Sequence, residues 1–264
     1  MSILLVLAFL FVIGSVVGYI AEVIFRKVFC HEKHWINPGF LVGPYEPLYG
    51  FGLIILFFIS RIDFTFVASK NIQITFEIVL MAISLTILEY ITGLIFVKGL
   101  KIKLWDYSDR WGNVQGIICP VYSFLWTAIA IIYYFFINPH IISAITWFTN
   151  NLTFSFVIGF VFGLLFIDLC YTIDAVAKIK KFAKEHNILV RYTALKESIA
   201  RFNKHNKELI HKIMPFGFSG NKLKEKLDYY KQSILAKHKS KDALDDSDEE
   251  DIVEVGVEHN EKHD

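Results

Sequence analysis

Apolar residues in this chain fall into long blocks separated by short polar stretches, and the blocks stop at Asp174. A helix needs roughly 20 apolar residues to cross the hydrocarbon of a bilayer. By that measure the pattern predicts about five transmembrane helices, near Ile3–Ile24, Leu48–Ser60, Ile74–Val97, Ile117–Ile137 and Thr153–Ile173. The second is the weakest, because Arg61 and Asp63 follow its short uncharged core; it starts as early as Tyr45 or runs on to Val67. Past Asp174 the period changes. Leu189, Tyr192, Leu195, Ile199, Phe202, Asn206, Leu209 and Ile213 recur at spacings of three and four, which predicts an amphipathic helix over 176–214. That helix continues the fifth span and packs its stripe on the cytoplasmic loops; the rivals are a short coiled coil and a helix lying on the membrane surface. Pro215 and Gly217 end the pattern, and the charged segment 215–264 is expected to be disordered. The predicted fold is an all-α membrane protein with a transmembrane domain at 1–175 and a C-terminal cytoplasmic helical tail.

Composition agrees with this division. Of 264 residues, 54% are hydrophobic and 16% aromatic, and the mean hydropathy is +0.45. That is too apolar for an ordinary soluble domain. The net charge of +1 averages two regions, since 18 of the 27 Lys and Arg lie at or after Lys178. Charge counting sets the orientation. Arg26, Lys27 and Lys33 follow the first span, Lys98, Lys101, Lys103 and Arg110 follow the third, and Lys178, Lys180, Lys181 and Lys184 follow the fifth. The other two loops hold only Arg61 and Lys70. The N-terminus is therefore expected outside and the tail inside. No Lys or Arg precedes the first block and no A-x-A site follows it, so the first helix is expected to stay in the membrane rather than be cleaved as a signal peptide.

Two loops share one skeleton, G-x3-G-x3-P-x-Y-x-F. The first copy is GFLVGPYEPLYGF (Gly39, Gly43, Pro47, Tyr49, Phe51); the second is GNVQGIICPVYSF (Gly112, Gly116, Pro120, Tyr122, Phe124). Each follows an apolar block with a glutamate near its end, Glu22 or Glu89. Duplicated units of helix, glycine-proline loop and helix occur in transporters, although Gly and Pro also gather wherever loops meet membrane helices. Both copies fall on the same side after helices of the same direction, so a duplication here is parallel. The Gly14-x3-Gly18 and Gly159-x3-Gly163 pairs predict close helix contacts.

An ionisable group at membrane depth is costly unless it faces a cavity, a partner or the bundle interior. Glu22, Glu89 and Asp168 are therefore candidates to line a cavity, attracting cations or carrying protons. The competing reading makes them structural links to Arg26, Lys98 or Arg110, and it is favoured for Asp168, near the end of its span. The segment LWDYSDRWGN (Leu104–Asn113) adds Trp105, Asp106 and Tyr107 as further candidates, with Pro47, Tyr49, Pro120 and Tyr122 from the repeated loops. An aromatic belt accounts for Trp105, Tyr107 and Trp111 more simply, and Asp106 with Ser108 suits a cap or an Asx turn. Phosphate-loop, nucleophile-elbow, zinc-protease and dinucleotide-binding motifs are missing. Cys30, Cys119 and Cys170 form no disulfide framework or metal spacing. The sequence thus predicts no enzyme, cofactor, metal or nucleic-acid partner.

The order Glu22, NPGFLVGPYEPLYGFG (Asn37–Gly52), LEYITG (Leu88–Gly93) and LWDYSDRWGNVQGIICPVYSFLW (Leu104–Trp126) resembles the ABC-transporter type IV (CmpB-like) family of bacterial integral membrane proteins, labelled ABC transporter permease. The resemblance covers roughly Gly18–Trp126; Pro38 stands where the family has Arg, and the tail lies outside the pattern. It implies a multi-pass protein of the bacterial plasma membrane, in contact with lipid. It further implies a permease-like subunit that takes ATP hydrolysis from a separate ATPase chain, as a single copy or a homo-oligomer. The alternative is a non-transporting membrane scaffold or regulator that recruits a cytosolic partner through its tail; a lipid-modifying membrane enzyme using Glu22, Glu89 and Asp106 ranks third.

Overall fold

Uncharged residues dominate each apolar block, and in a bilayer their backbone polar groups are satisfied within a helix; four of the resulting helices are long and apolar enough to cross a membrane: Ile3–Val28, Lys70–Leu100, Pro120–Asn150 and Leu152–Glu185. They are seen in a computed structural model that describes residues 3–29, 39–64, 69–186, 188–205 and 223–236. The turn at Asn37–Pro38, the stretch 206–222 and the acidic segment from Asp242 lie outside the described residues. Helix α1 spans Ile3–Phe29 and α2 spans Pro47–Ile59. Helix α3 (Lys70–Leu94) runs on through a wider turn at Ile95–Leu100. Helix α4 (Pro120–Ile132) passes through a second wide turn, Tyr133–Ile137, into α5 (Asn138–Asn150). Helix α6 spans Ser155–Glu185.

Of the five expected spans, α2 is the short one: its 13 residues reach only about 20 Å against about 30 Å of hydrocarbon. The fourth block extends further than expected. The fourth span is expected to end at Ile137, yet the chain stays helical to Asn150. Pro139 sits in the first turn of α5, where its missing N–H costs little, and the wide turn before it accommodates the ring. What holds α5 is its apolar face. Ile141 and Phe148 are buried in the cluster that contains Val6, Phe9, Ile59 and Met81, and Phe148 stacks on Phe9 at 4.5 Å.

Helices α1 and α2 approach closely through glycines. A Cβ at Gly14 would lie 2.9 Å from the Tyr49 carbonyl, one at Gly18 would enter the Tyr49 ring, and one at Gly50 would meet the Ser15 hydroxyl. The second small-residue pair behaves differently, since Gly159 and Gly163 face open space. Gly18→Ala should therefore cost about 1–3 kcal/mol by overpacking, whereas Gly159→Ala should leave thermal unfolding in detergent unchanged. Equal melting temperatures for the two variants would contradict this packing.

The expected continuous helix over 176–214 is interrupted. The Ile188 amide returns to the Ala183 carbonyl at 3.0 Å, which ends α6 by capping one of its last carbonyls. The chain then forms a short strand, β2 (Val190–Arg191), parallel to β1 (Ile102–Lys103), before α7 (Tyr192–His205). The described residues thus form a mostly helical fold with one two-residue pairing. The chain divides into two compact units, 1–193 and 194–264. In the second, part of the stretch expected to be disordered is helical: α8 covers 223–236. Leu223, Leu227 and Tyr230 are buried, an i, i+4 and i+7 set that gives the helix an apolar face; Phe202 meets Tyr229 edge-on at 5.5 Å.

Candidate functional site

Both repeated loops deliver a proline to the first turn of a 13-residue helix, α2 at Pro47 and α4 at Pro120. The preceding residues, Glu46 (φ −125°) and Cys119 (φ −151°), are extended, as the pyrrolidine ring requires of its neighbour. Two residues into each helix stands a tyrosine. Tyr49 and Tyr122 both line a cavity of about 370 Å³ in the first unit. The loops themselves differ in backbone. Gly112 and Gly116 have φ of +66°, which a side chain resists; Gly43 does not share that conformation.

The cavity brings together Glu22 from α1, Glu89 from α3, Pro47 and Tyr49 from α2, and Trp105, Asp106 and Tyr107 from the loop after β1. Asp168 and Pro120, also expected there, do not line it. Glu22 accepts from Arg26 Nε at 2.7 Å and from the Tyr49 hydroxyl at 2.7 Å. Glu89 is 4% exposed, and accepts from the Tyr107 hydroxyl at 3.1 Å and from Trp126 Nε1 at 2.8 Å. Burial pushes the Tyr107 phenol up, and the Glu89 charge and the adjacent Tyr122 raise it further, so Tyr107 stays protonated as the donor. Tyr107 stacks on Tyr122 at 4.1 Å, and Tyr49 lies 5.7 Å from Trp126. The two glutamates therefore face one aromatic-walled space.

The belt reading of the Leu104–Asn113 segment separates by residue. Trp111 is 85% exposed, as a belt residue can be. Trp105 turns inward, its Nε1 donating to the Ile117 carbonyl at 2.8 Å. Asp106 accepts from the Ser108 amide at 3.1 Å, which is an Asx turn. Burial opposes its charge, but Lys103 Nζ at 2.6 Å and the Ser108 hydroxyl and amide outweigh that and hold its carboxyl down at about 2. Arg191 of β2 reaches its other oxygen at 3.0 Å.

Asp168 serves another place. It accepts from the Val42 amide at 3.1 Å, the Gly43 amide at 2.7 Å and the Tyr45 hydroxyl at 2.8 Å. It is a link to the first loop, not to Arg26, Lys98 or Arg110. Tyr192 adds a second tie, donating to the Phe40 carbonyl at 2.9 Å.

Several lining residues escaped the sequence reading. Trp126 stands four residues after Tyr122, so helical spacing puts both on one face; that signal was available. Phe40, Phe96 and Thr193 had none, since only tertiary folding brings them to the cavity. Among the described residues no group of three His, Cys, Asp or Glu could hold a metal ion.

The model of the family described as putative ABC-transporter type IV matches residues 9–173, more than half of the chain and nearly all of the four long apolar helices. The chain belongs to this family. No curated protein and no solved structure matches it. The family match extends well beyond Gly18–Trp126, taking in α5 and most of α6 with Asp168. It stops before the short strand at Val190–Arg191.

Proposed function

We propose that this chain is the membrane-spanning, permease-like subunit of a bacterial transporter whose ATP hydrolysis comes from a separate chain. One observation carries the reading. Two glutamates from different apolar helices meet at a single aromatic-walled cavity, at the ends of those helices where Arg26 and Lys98 sit. Carboxylates at such positions are costly and are retained where they face a path or a binding space. By the distribution of Lys and Arg the cavity lies towards the cytoplasm and the N-terminus outside. The short α2, packed on α1 through Gly14, Gly18 and Gly50, carries the chain from the cavity, where Tyr49 meets Glu22, back to the start of α1, where Ile59 joins Val6 and Phe9, so that α3 runs parallel to α1 and brings Glu89 to the same end. The parallel arrangement of the two glutamate, loop and proline-helix segments supports an internal duplication, with Tyr49 and Tyr122 at equivalent places.

Tagged full-length chain purified in mild detergent should bring with it a subunit that hydrolyses ATP. Glu22→Gln with Glu89→Gln should abolish transport in cells while leaving that association intact. Recovery of a cytosolic chain without ATPase activity, with transport-independent function lost on deleting 176–213, would instead favour a scaffold that recruits a partner through its tail.

A further inference from the structure

Glu89 differs from Glu22 and Asp106, which line the same cavity, in its company. Glu22 pairs with Arg26 at 2.7 Å, and Asp106 pairs with Lys103 and Arg191 at 2.6 and 3.0 Å. Glu89 is buried, accepts from two neutral donors, Tyr107 and Trp126, and among the described residues makes no ion pair with a Lys, Arg or His. Trp126 Nε1 can only donate, so the Glu89 oxygen it meets is an acceptor. Each carboxylate oxygen retains a second lone-pair direction, and the space beside it is the cavity.

The walls add a second preference. Tyr49 and Trp126 lie 5.7 Å apart with their rings at 48°, and the Tyr107–Tyr122 stack lies beside the same carboxylate. Aromatic faces attract a cation, Trp most strongly, and attract weakly hydrated organic cations in particular. They also take up apolar surface. A hydrated metal ion would find few oxygen ligands here: among the described residues no group of three His, Cys, Asp or Glu is placed to hold one, and Glu22 and Asp106 are bonded to basic side chains.

We propose that the cavity binds an organic monocation with an apolar body, its charge against Glu89 and its body between the Tyr49–Trp126 and Tyr107–Tyr122 pairs. This names the ligand class of the permease reading and rests on it for physiological meaning, though binding itself does not require transport. Arg26 and Arg110 also border the space and make an organic anion the opposing possibility.

Isothermal titration of the purified full-length chain in non-ionic detergent tests the sign of the charge. Benzyltrimethylammonium should bind saturably, benzenesulfonate at least roughly tenfold more weakly, and Glu89→Gln should weaken the cation by roughly tenfold. Trp111→Phe, remote from the cavity wall, should leave the affinity unchanged and reports on the fold. Equal or tighter binding of benzenesulfonate to the unaltered protein overturns the proposal, as does an unchanged cation affinity in a folded Glu89→Gln protein. Competition by lysophosphatidylcholine but not lysophosphatidylglycerol would identify a lipid headgroup as the source of the cation; without competition the source is a soluble cation, and either result supports the class. A chain that binds the cation but supports no transport defeats the permease reading alone; a transporting chain without cation preference defeats the ligand class alone.

Discussion

Replacement of Asp168 by alanine should release the first loop while leaving the helices in place. Its carboxylate is the common acceptor of two amides, Val42 and Gly43, and of the Tyr45 hydroxyl. Hydrogen bonds to a charged acceptor are worth about 1.5–3 kcal/mol each, with discounts for partial exposure and for shared partners. A net loss of about 2–4 kcal/mol follows for Asp168→Ala. Asparagine keeps one acceptor oxygen but turns an NH2 group towards donors, so Asp168→Asn should fall between alanine and the unaltered protein. The local effect is larger than the global one. Amide exchange across 39–46 should speed up by at least roughly tenfold, while α3 and α4 keep their protection. The loop leads directly into Glu46, Pro47 and Tyr49 at the cavity, so ligand binding should weaken as well. Unchanged exchange at Val42 and Gly43 in Asp168→Ala would falsify this role.

That the sequence marked Asp168 as a structural link without finding its partners shows what a one-dimensional pattern can carry. An acid inside an apolar block is conspicuous because its desolvation is expensive, and that argument found Glu22, Glu89 and Asp168 alike. Which partner repays the cost is a tertiary fact. For Glu22 an answer lay within its own helix, four residues away at Arg26. For Asp168 the partners lie about 125 residues earlier in the chain. Spacing found Tyr49 and Tyr122, and could have found Trp126, because residues three or four apart share a helix face. It could not distinguish Trp105, turned inward to Ile117, from Trp111, turned outward. The four long helices were legible from hydropathy. The continuation of the third of these through α5 was not, because its polar and proline residues break the apolar run after Ile137, and burial of Ile141 and Phe148, the latter against Phe9 of α1, keeps it helical. The break after Glu185 was hidden for the converse reason. Its periodicity favours a helix, and pairing of Val190 with Ile102 draws the chain into a strand.

Substitution of Glu89 should have the largest effect on the cavity, and its two obvious variants should separate sharply. Leucine fills a similar volume but strands two part-buried donors, the Tyr107 hydroxyl and Trp126 Nε1. Each unsatisfied donor costs about 1–3 kcal/mol, so Glu89→Leu should lose about 2–6 kcal/mol. Glutamine can give its carbonyl oxygen to Trp126, which only donates, and its NH2 to the Tyr107 oxygen, whose hydroxyl can rotate to accept. Glu89→Gln should therefore cost about 1 kcal/mol and stay folded while its charge is gone. The order reverses when the partners are removed first. In a Tyr107→Phe, Trp126→Phe background neither donor remains, so Glu89→Leu should become nearly neutral, and the charged carboxylate, left without donors, should be the less stable side chain. Thermal unfolding of the four combinations in one detergent measures the coupling, expected at about 2 kcal/mol or more. A penalty for Glu89→Leu that is the same in both backgrounds would mean that the two aromatic donors do not hold Glu89 at the cavity.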